Sequence, residues 1–407
     1  MLLFSDYRGM PKEAKYLVYA SVVPSLAYGM FYTDISYFLT VVQGIPPDLM
    51  GLILTVMGVS TVILSIPLGV AADRYGRKKT LIVGTIIASS TIAIFALTAN
   101  PVILIFAAFF EGISEAAISA SGSALLADLA GNEKRTSAFS FYGFASGVAF
   151  GVGGFIIPTV VVFQALGFTT QASHTLLYVT LAALSMASTL LLLKIRESKR
   201  TPKTGWSMGA LLPKKSRGML LKYVLTGAII AFGAGLFGYL MPVWFNYRYG
   251  ISDALSGPIL GVSNMLIGVS TLAAPFLARK MGMVKAIVVT EAVSTVFLFA
   301  TPLSPDYLSA SVIFTVRSFL MNASGPLSSS LIMGIVSEDE RGVASGINSA
   351  LWRLPNSFSV SLGAWLLGMG FLALPFFLAG LLYAASIALF WYYFRSTRLP
   401  EETLTGG

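Results

Sequence analysis

Gly69-Val70-Ala71-Ala72-Asp73-Arg74-Tyr75-Gly76-Arg77-Lys78-Lys79 is a knot of charge between two long apolar stretches, at about 49–72 and 80–98. It is too polar for hydrocarbon, too short for a domain, and bounded by runs long enough to cross a bilayer, which takes about 20 apolar residues. The segment is therefore a tight turn between two membrane helices. Gly69 permits close helix approach, and Gly76 permits a sharp turn. Asp73 can meet the positive end of another helix dipole. Arg74, Arg77, Lys78 and Lys79 suit either a gate latch or simple anchoring to headgroups.

The rest of the chain repeats this pattern. It has 407 residues, 56% hydrophobic and 11% charged, against about 25% charged in soluble proteins. That composition excludes an ordinary soluble domain. Apolar runs at about 16–41, 49–72, 80–98, 101–123, 137–163 and 173–194 predict six spans. Runs at about 222–245, 255–278, 284–303, 307–333, 343–369 and 371–394 predict six more. The first run is too long and too weakly cleavable for a signal peptide and is kept as a span. In lipid each backbone group must bond within its own segment, so these runs are expected to be α-helices.

There is no cysteine, and His174 is the one histidine. Thiol chemistry and histidine-rich metal centres are excluded, and no catalytic residue, cofactor or metal site is expected. No G-x-x-x-x-G-K-[ST] phosphate loop is present, which argues against ATP-driven work.

The net charge of +9 is a topology signal. Of 27 Lys and Arg, 24 fall in the termini, the alternate loops 2–3, 4–5, 8–9 and 10–11, and the central polar stretch, while the opposite loops carry Arg248. The positive-inside rule puts both termini in the cytoplasm of a multi-pass cell-membrane protein. Nucleic acid is not expected as a partner. Residues 195–221 read as a basic cytoplasmic linker lying on anionic headgroups. It separates a bundle at 1–194 from one at 222–394, with a cytoplasmic tail at 395–407. The halves align at an offset of 206: Glu133-Lys134-Arg135 and Ala138 fall on Asp339-Glu340-Arg341 and Ala344, and Ala72 and Gly76 on Ala278 and Gly282. Duplicated halves are a construction of secondary transporters.

The loop sequence resembles the G-x-L-A-D-R-x-G-R-K signature of the major facilitator superfamily, with Ala71 where leucine is usual. Twelve spans, the repeat and the linker extend the resemblance over nearly the whole chain. It implies an all-α integral membrane fold of 12 transmembrane helices in two pseudo-symmetric six-helix bundles. It also implies that Gly69, Asp73, Arg74, Gly76, Arg77 and Asp128 form a gating motif, with Asp73 meeting span 11 and Arg77 pairing with Asp128. Spans 1, 4, 7 and 10 would line a central cavity. Gly143, Gly147, Gly151, Gly153 and Gly154 are similar to the G-x-x-x-G-P-x-x-G-G pattern of drug/proton antiporters, with Val152 in place of proline and the closing pair early. A tight small-residue contact explains the same glycines. Ala108-Phe109-Phe110-Glu111-Gly112 lacks the arginine that many antiporters carry there.

Asp34, Glu111, Glu115, Arg317 and Arg353 lie well inside predicted spans, at about 2.5–3.5 kcal/mol each on insertion scales. They should face a cavity or one another. Glu111 and Glu115 are one helical turn apart, and two such acids resist ionising together. Arg317 stands 206 residues after Glu111, which suggests a pair across the pseudo-two-fold. Two readings stand open: Glu111 or Glu115 exchanges a proton as substrate binds, or the charges form a static network. Asp34 suits a second proton site, a cation contact or a wet rim. Arg353 suits an anionic substrate or an acid partner. Tyr32, Phe232, Trp244 and Asn322 complete the expected substrate pocket, although aromatics also pack ordinary membrane helices. His174 and Glu291 lie near span ends and are expected at the interface. The expectation is a monomeric secondary transporter of a small organic solute, working by alternating access. Proton-coupled efflux of amphipathic compounds comes first, and organic-anion transport through Arg317 and Arg353 second.

Overall fold

A computed structural model describes residues 9–197, 216–337 and 341–396. Most of the basic linker, 198–215, and the tail from 397 onward lie outside the described residues.

The described chain is helical from end to end. In order come α1 (Lys12–Tyr37), α2 (Pro47–Tyr75), α3 (Arg77–Leu97), α4 (Pro101–Ile156), α5 (Thr159–Ala165) and α6 (Thr170–Leu193). Then follow α7 (Arg217–Gly235), α8 (Met241–Tyr249), α9 (Asp253–Ser270), α10 (Ala274–Met281) and α11 (Met283–Ala300). Last are α12 (Tyr307–Ala323), α13 (Gly325–Ile335), α14 (Arg341–Gly368) and α15 (Leu374–Phe394). Among the described residues, nine helices are long and apolar enough to cross a membrane, with mean hydropathy from 1.4 to 2.3. The other three expected spans fall on α1, on α12 with α13, and on α14. The fold is the expected all-helical membrane architecture.

Breaks occur where the sequence supplies them. Gly76 ends α2 at φ 106° and starts α3, a conformation open to glycine. Gly131, at φ 67°, divides the 56-residue α4 between predicted spans 4 and 5. Asn100 caps α4 by accepting from the backbone N–H groups of Val102 and Ile103, with Pro101 at the first helical position. Asp306 caps α12 through Leu308 and Ser309. The Ser309 backbone bond first, then its hydroxyl, holds the Asp306 carboxyl below the ordinary range. A single π turn, Phe38–Val42, follows α1. Gly325 and Pro326 open α13 immediately after α12 ends at Ala323.

The chain forms two compact units. One comprises 1–204 with 251–265, the other 205–250 with 266–407. In the first, glycines bring α1, α4 and the start of α9 into backbone contact. A Cβ on Gly29 would meet the Phe150 carbonyl oxygen at 1.9 Å, and one on Gly153 the Met30 nitrogen at 2.3 Å. A Cβ on Gly154 would meet the Gly257 carbonyl oxygen at 2.6 Å. The glycines at 151, 153 and 154 thus make the tight helix contact of the small-residue reading, whereas Gly143 and Gly147 have nothing near a Cβ. In the second unit, Gly235 and Gly363 do the same between α7 and α14.

Gly29→Val should fold poorly, seen as a lower yield of monodisperse protein and a lower melting temperature. Gly143→Ala, with open space at its Cβ, should leave both unchanged.

Candidate functional site

Three groups of polar side chains are built into the helices, besides the charged turn after α2. In that turn Arg77 is the hub. Its Nη2 lies 2.7 Å from Asp73 Oδ1, and its Nη1 2.7 Å from Asp128 Oδ2. Nη1 also donates to the Ala124 carbonyl at 3.0 Å. The Arg77–Asp128 contact is the one the resemblance implies, and it ties α3 to α4. Glu197 adds a contact that the sequence reading did not contain: its carboxylate accepts from the backbone N–H groups of Arg77 and Lys78 at 2.8 and 3.1 Å. These are unpaired donors of the first turn of α3, where an anion is favoured. Arg74 stacks on Tyr75, and Gly69 has only the Ala120 side chain near a Cβ, at 3.9 Å.

The second group lies among α1, α2, α3 and α4. Glu111 is fully buried. Its Oε2 accepts from the Thr91 hydroxyl, and its Oε1 has no hydrogen-bond partner among the described residues. Glu115, one turn on and half-buried, accepts from Tyr32 and Thr61 at 3.2 Å each. Tyr28 stacks on Tyr32 with ring centroids 5.7 Å apart, and its hydroxyl meets Ser114 at 3.2 Å. Gly112 lets α4 close on α2, since a Cβ there would stand 2.5 Å from the Met57 carbonyl oxygen. Both acids are therefore held by hydroxyls.

The third group lines a cavity of about 350 Å³ within the second unit. Arg317, Asn322, Glu291, Trp352 and Tyr383 are on its walls. Arg317 donates to the Tyr383 hydroxyl at 2.8 Å. Its guanidinium lies over the rings of Phe237 and Tyr383, at 4.9 and 5.5 Å from their centroids. Arg317 Nε has no hydrogen-bond partner among the described residues. Asn322 donates to the Ser318 carbonyl. Glu291 accepts from Ser324 at 2.9 Å and is 6% exposed, so it sits in the interior rather than at the expected interface. Among the described residues, Glu291 and Arg317 share this cavity without an ion pair.

Other expected pocket residues lie elsewhere. Trp244 is 1% exposed. Its indole N–H is spent on the Leu372 carbonyl at 2.8 Å and its ring on Phe376, which makes it a packing strut. Phe232 is half-buried on α7, Arg353 is exposed on α14, and neither is among the residues lining the cavity.

Asp34 belongs to the remaining group, with partners different from those of Glu111 and Glu115. It is fully buried and accepts from Tyr178 at 2.9 Å. His174, expected at the interface, is also fully buried and lies 2.8 Å from Asp253. A sequence signal existed for both missed residues. His174, Tyr178, Leu181 and Ser185 recur at helical spacing and are all buried, as are Ala286, Thr290, Glu291 and Ser294.

Comparison with known proteins follows the same lines. The sequence pattern of the Major Facilitator Superfamily matches residues 17–354. Multidrug resistance protein 2 of Bacillus subtilis is 23% identical over 350 residues, covering 84% of this chain and 85% of that protein. Multidrug resistance protein 1 of the same organism is 25% identical over 349 residues, covering 83% and 85%. Among solved structures, the nucleoside transporter NupG superposes with a TM-score of 0.72 at 14% identity, over 95% of this chain and all of that one. A bacterial homologue of the human lysosomal transporter Spinster, inward-facing and occupied, superposes at 0.75 and 15%, over 94% and 96%. At such identities the superpositions concern the fold.

A double-mutant cycle of Arg77→Ala and Asp128→Asn should give a coupling energy of about 0.5–3 kcal/mol in thermal or chemical unfolding. Additive effects would show that the contact carries no stability.

Proposed function

The chain belongs to the major facilitator superfamily, and from that premise we propose that it exports amphipathic organic compounds in exchange for protons. It is a multi-pass membrane transporter of a small molecule. The proton-coupled, outward mode is our reading, with both termini in the cytoplasm and the two six-span halves alternating access between them.

The observation that carries it is the Glu111–Glu115 pair. A fully buried carboxyl whose recorded partner is a threonine hydroxyl, with one oxygen unpartnered among the described residues, is not neutralised by a fixed cation there. Ionising it in a low-dielectric site is costly, so it is poised to gain or lose a proton when its surroundings change. A second acid one turn away makes its state depend on what approaches Glu115. Tyr32 and Thr61, which hold Glu115, would transmit the arrival of a substrate. The two Bacillus relatives, named for multidrug resistance, favour the efflux direction.

The cavity around Arg317 is the proposed substrate contact. It offers aromatic surface from Trp352 and Tyr383, an amide from Asn322 and one charge of each sign. Transport of an organic anion is the second reading, favoured by Arg317 and disfavoured by Glu291 on the same walls. The motif residues Gly69, Asp73, Arg74, Gly76, Arg77 and Asp128 are proposed to govern opening at the cytoplasmic face.

The test is transport in proteoliposomes, with ethidium and tetraphenylphosphonium as cationic probes and a fluorescein-type dye as the anionic one. Wild-type protein should accumulate the cations against an imposed pH gradient. Glu111→Gln should cut gradient-driven accumulation at least tenfold while leaving equilibrium probe binding within threefold. Substrate-driven proton movement that survives Glu111→Gln combined with Glu115→Gln would remove the coupling proposal. Accumulation of the anion alone, lost in Arg317→Gln, would select the second reading.

A further inference from the structure

Asp34, His174 and Asp253 converge at one membrane face, in positions that neither the transport reading nor the charged turn uses. Asp34 is in the last turn of α1, His174 near the start of α6, and Asp253 is the first residue of α9. These helix ends join the loops poor in Lys and Arg. All three side chains are buried, and one ligand-type atom from each lies within 4.8 Å of the others.

Their hydrogen bonding defines what belongs between them. His174 Nδ1 lies 2.8 Å from the Thr170 carbonyl oxygen. A carbonyl only accepts, so Nδ1 carries the hydrogen. In the neutral ring Nε2 is then a bare lone pair, and it faces Asp253 Oδ2 at 2.8 Å. At that distance a hydrogen on Nε2 bridges the pair in this structure, and a coordinated cation would take that hydrogen's place and spread the two atoms to about 3.3 Å. Asp34 Oδ2 is occupied by the Tyr178 hydroxyl, while its Oδ1, fully buried, has no partner among the described residues. Two carboxylates and one neutral imidazole sum to −2. A divalent cation cancels that charge, as two protons would in its absence.

We propose that Asp34, His174 and Asp253 form a binding site for a divalent transition-metal cation of the zinc type. One imidazole nitrogen and two carboxylate oxygens are a donor set for such ions, with a fourth position for water. The surroundings match what metal ligands need. The other imidazole nitrogen is fixed by a backbone carbonyl, one carboxylate is oriented by a tyrosine hydroxyl, and Phe38 stacks on the imidazole with centroids 5.6 Å apart to form an apolar shell. The bound ion ties α1, α6 and the start of α9 together.

The chain has no cysteine and no other histidine, so imidazole coordination can come from this position alone. Protein purified without a polyhistidine tag is titrated with Zn²⁺ by calorimetry and with Co²⁺ by visible absorption. Wild type should bind one equivalent of each and show cobalt absorption with an imidazole ligand field. His174→Gln and Asp253→Asn should each abolish the stoichiometric phase. Tyr178→Phe, which keeps the ring and removes the orienting hydroxyl, should weaken binding about 10–100-fold and serves if the ligand variants fail to fold. No saturable binding by wild type, or an equivalent retained in His174→Gln or unchanged in Tyr178→Phe, would overturn the site. These readouts do not depend on transport, so the metal site and the export reading fail separately.

Discussion

Hydrocarbon offers no hydrogen bond, and every polar group placed in it must find its partner in the protein. That constraint makes the backbone helical and dictates where polar side chains stand. Each buried ionisable group here is served from a different helix: Glu111 by Thr91, Arg317 by Tyr383, Glu291 by Ser324, and Asp34 by Tyr178. The polar atoms therefore act as cross-links between helices, and their energy is realised only when the bundle is assembled. Leaving such a donor or acceptor unpaired costs about 1–3 kcal/mol, more when it is charged.

The partners are mostly hydroxyls rather than opposite charges, and this has a functional consequence. A buried ion pair is held by mutual attraction, and removing one member costs about 3–5 kcal/mol. A carboxyl bonded to a hydroxyl keeps its partner in either protonation state, because a hydroxyl both donates and accepts. Glu111 with Thr91, and Glu115 with Tyr32 and Thr61, are therefore tied to neighbouring helices by bonds that do not depend on an opposite charge. The charged turn is built the other way, with Arg77 gripping two acids and two helices. Rigid charge pairing sits at the bundle end, and adaptable hydroxyl bonding sits inside.

What could be read from the sequence was what depends on local spacing. The spans follow from apolar length, the turn at Gly76 from a glycine among cations, and the shared face of Glu111 and Glu115 from one helical turn. The contact of Arg77 with Asp128 came from family resemblance rather than spacing. The groups that escaped depend on partners distant in sequence. His174 and Asp253 are 79 residues apart, and Arg317 and Tyr383 are 66 apart. Nearness to a span end fixes a residue's depth along the helix axis, so His174 and Glu291 looked interfacial. Depth does not say which way a side chain faces. The buried stripes at helical spacing on α6 and α11 carry that information, and in such uniformly apolar helices they are marked by a few Ser and Thr residues.

The two units have used equivalent positions for opposite charges. Glu111 and Arg317 occupy corresponding places in the internal repeat, and one turn after Glu111 stands Glu115 while one turn after Arg317 stands Met321. The first half thus concentrates acid on α4, where no salt bridge to Glu111 exists among the described residues. The second half sets an arginine against aromatic faces, 4.9 Å from Phe237, beside a cavity that also holds Glu291. A guanidinium carries a fixed charge and only donates, whereas a carboxyl can hold or release a proton. On the proposed reading this divides the labour: α4 handles the proton and α12 presents a fixed charge and a wall of rings to the solute.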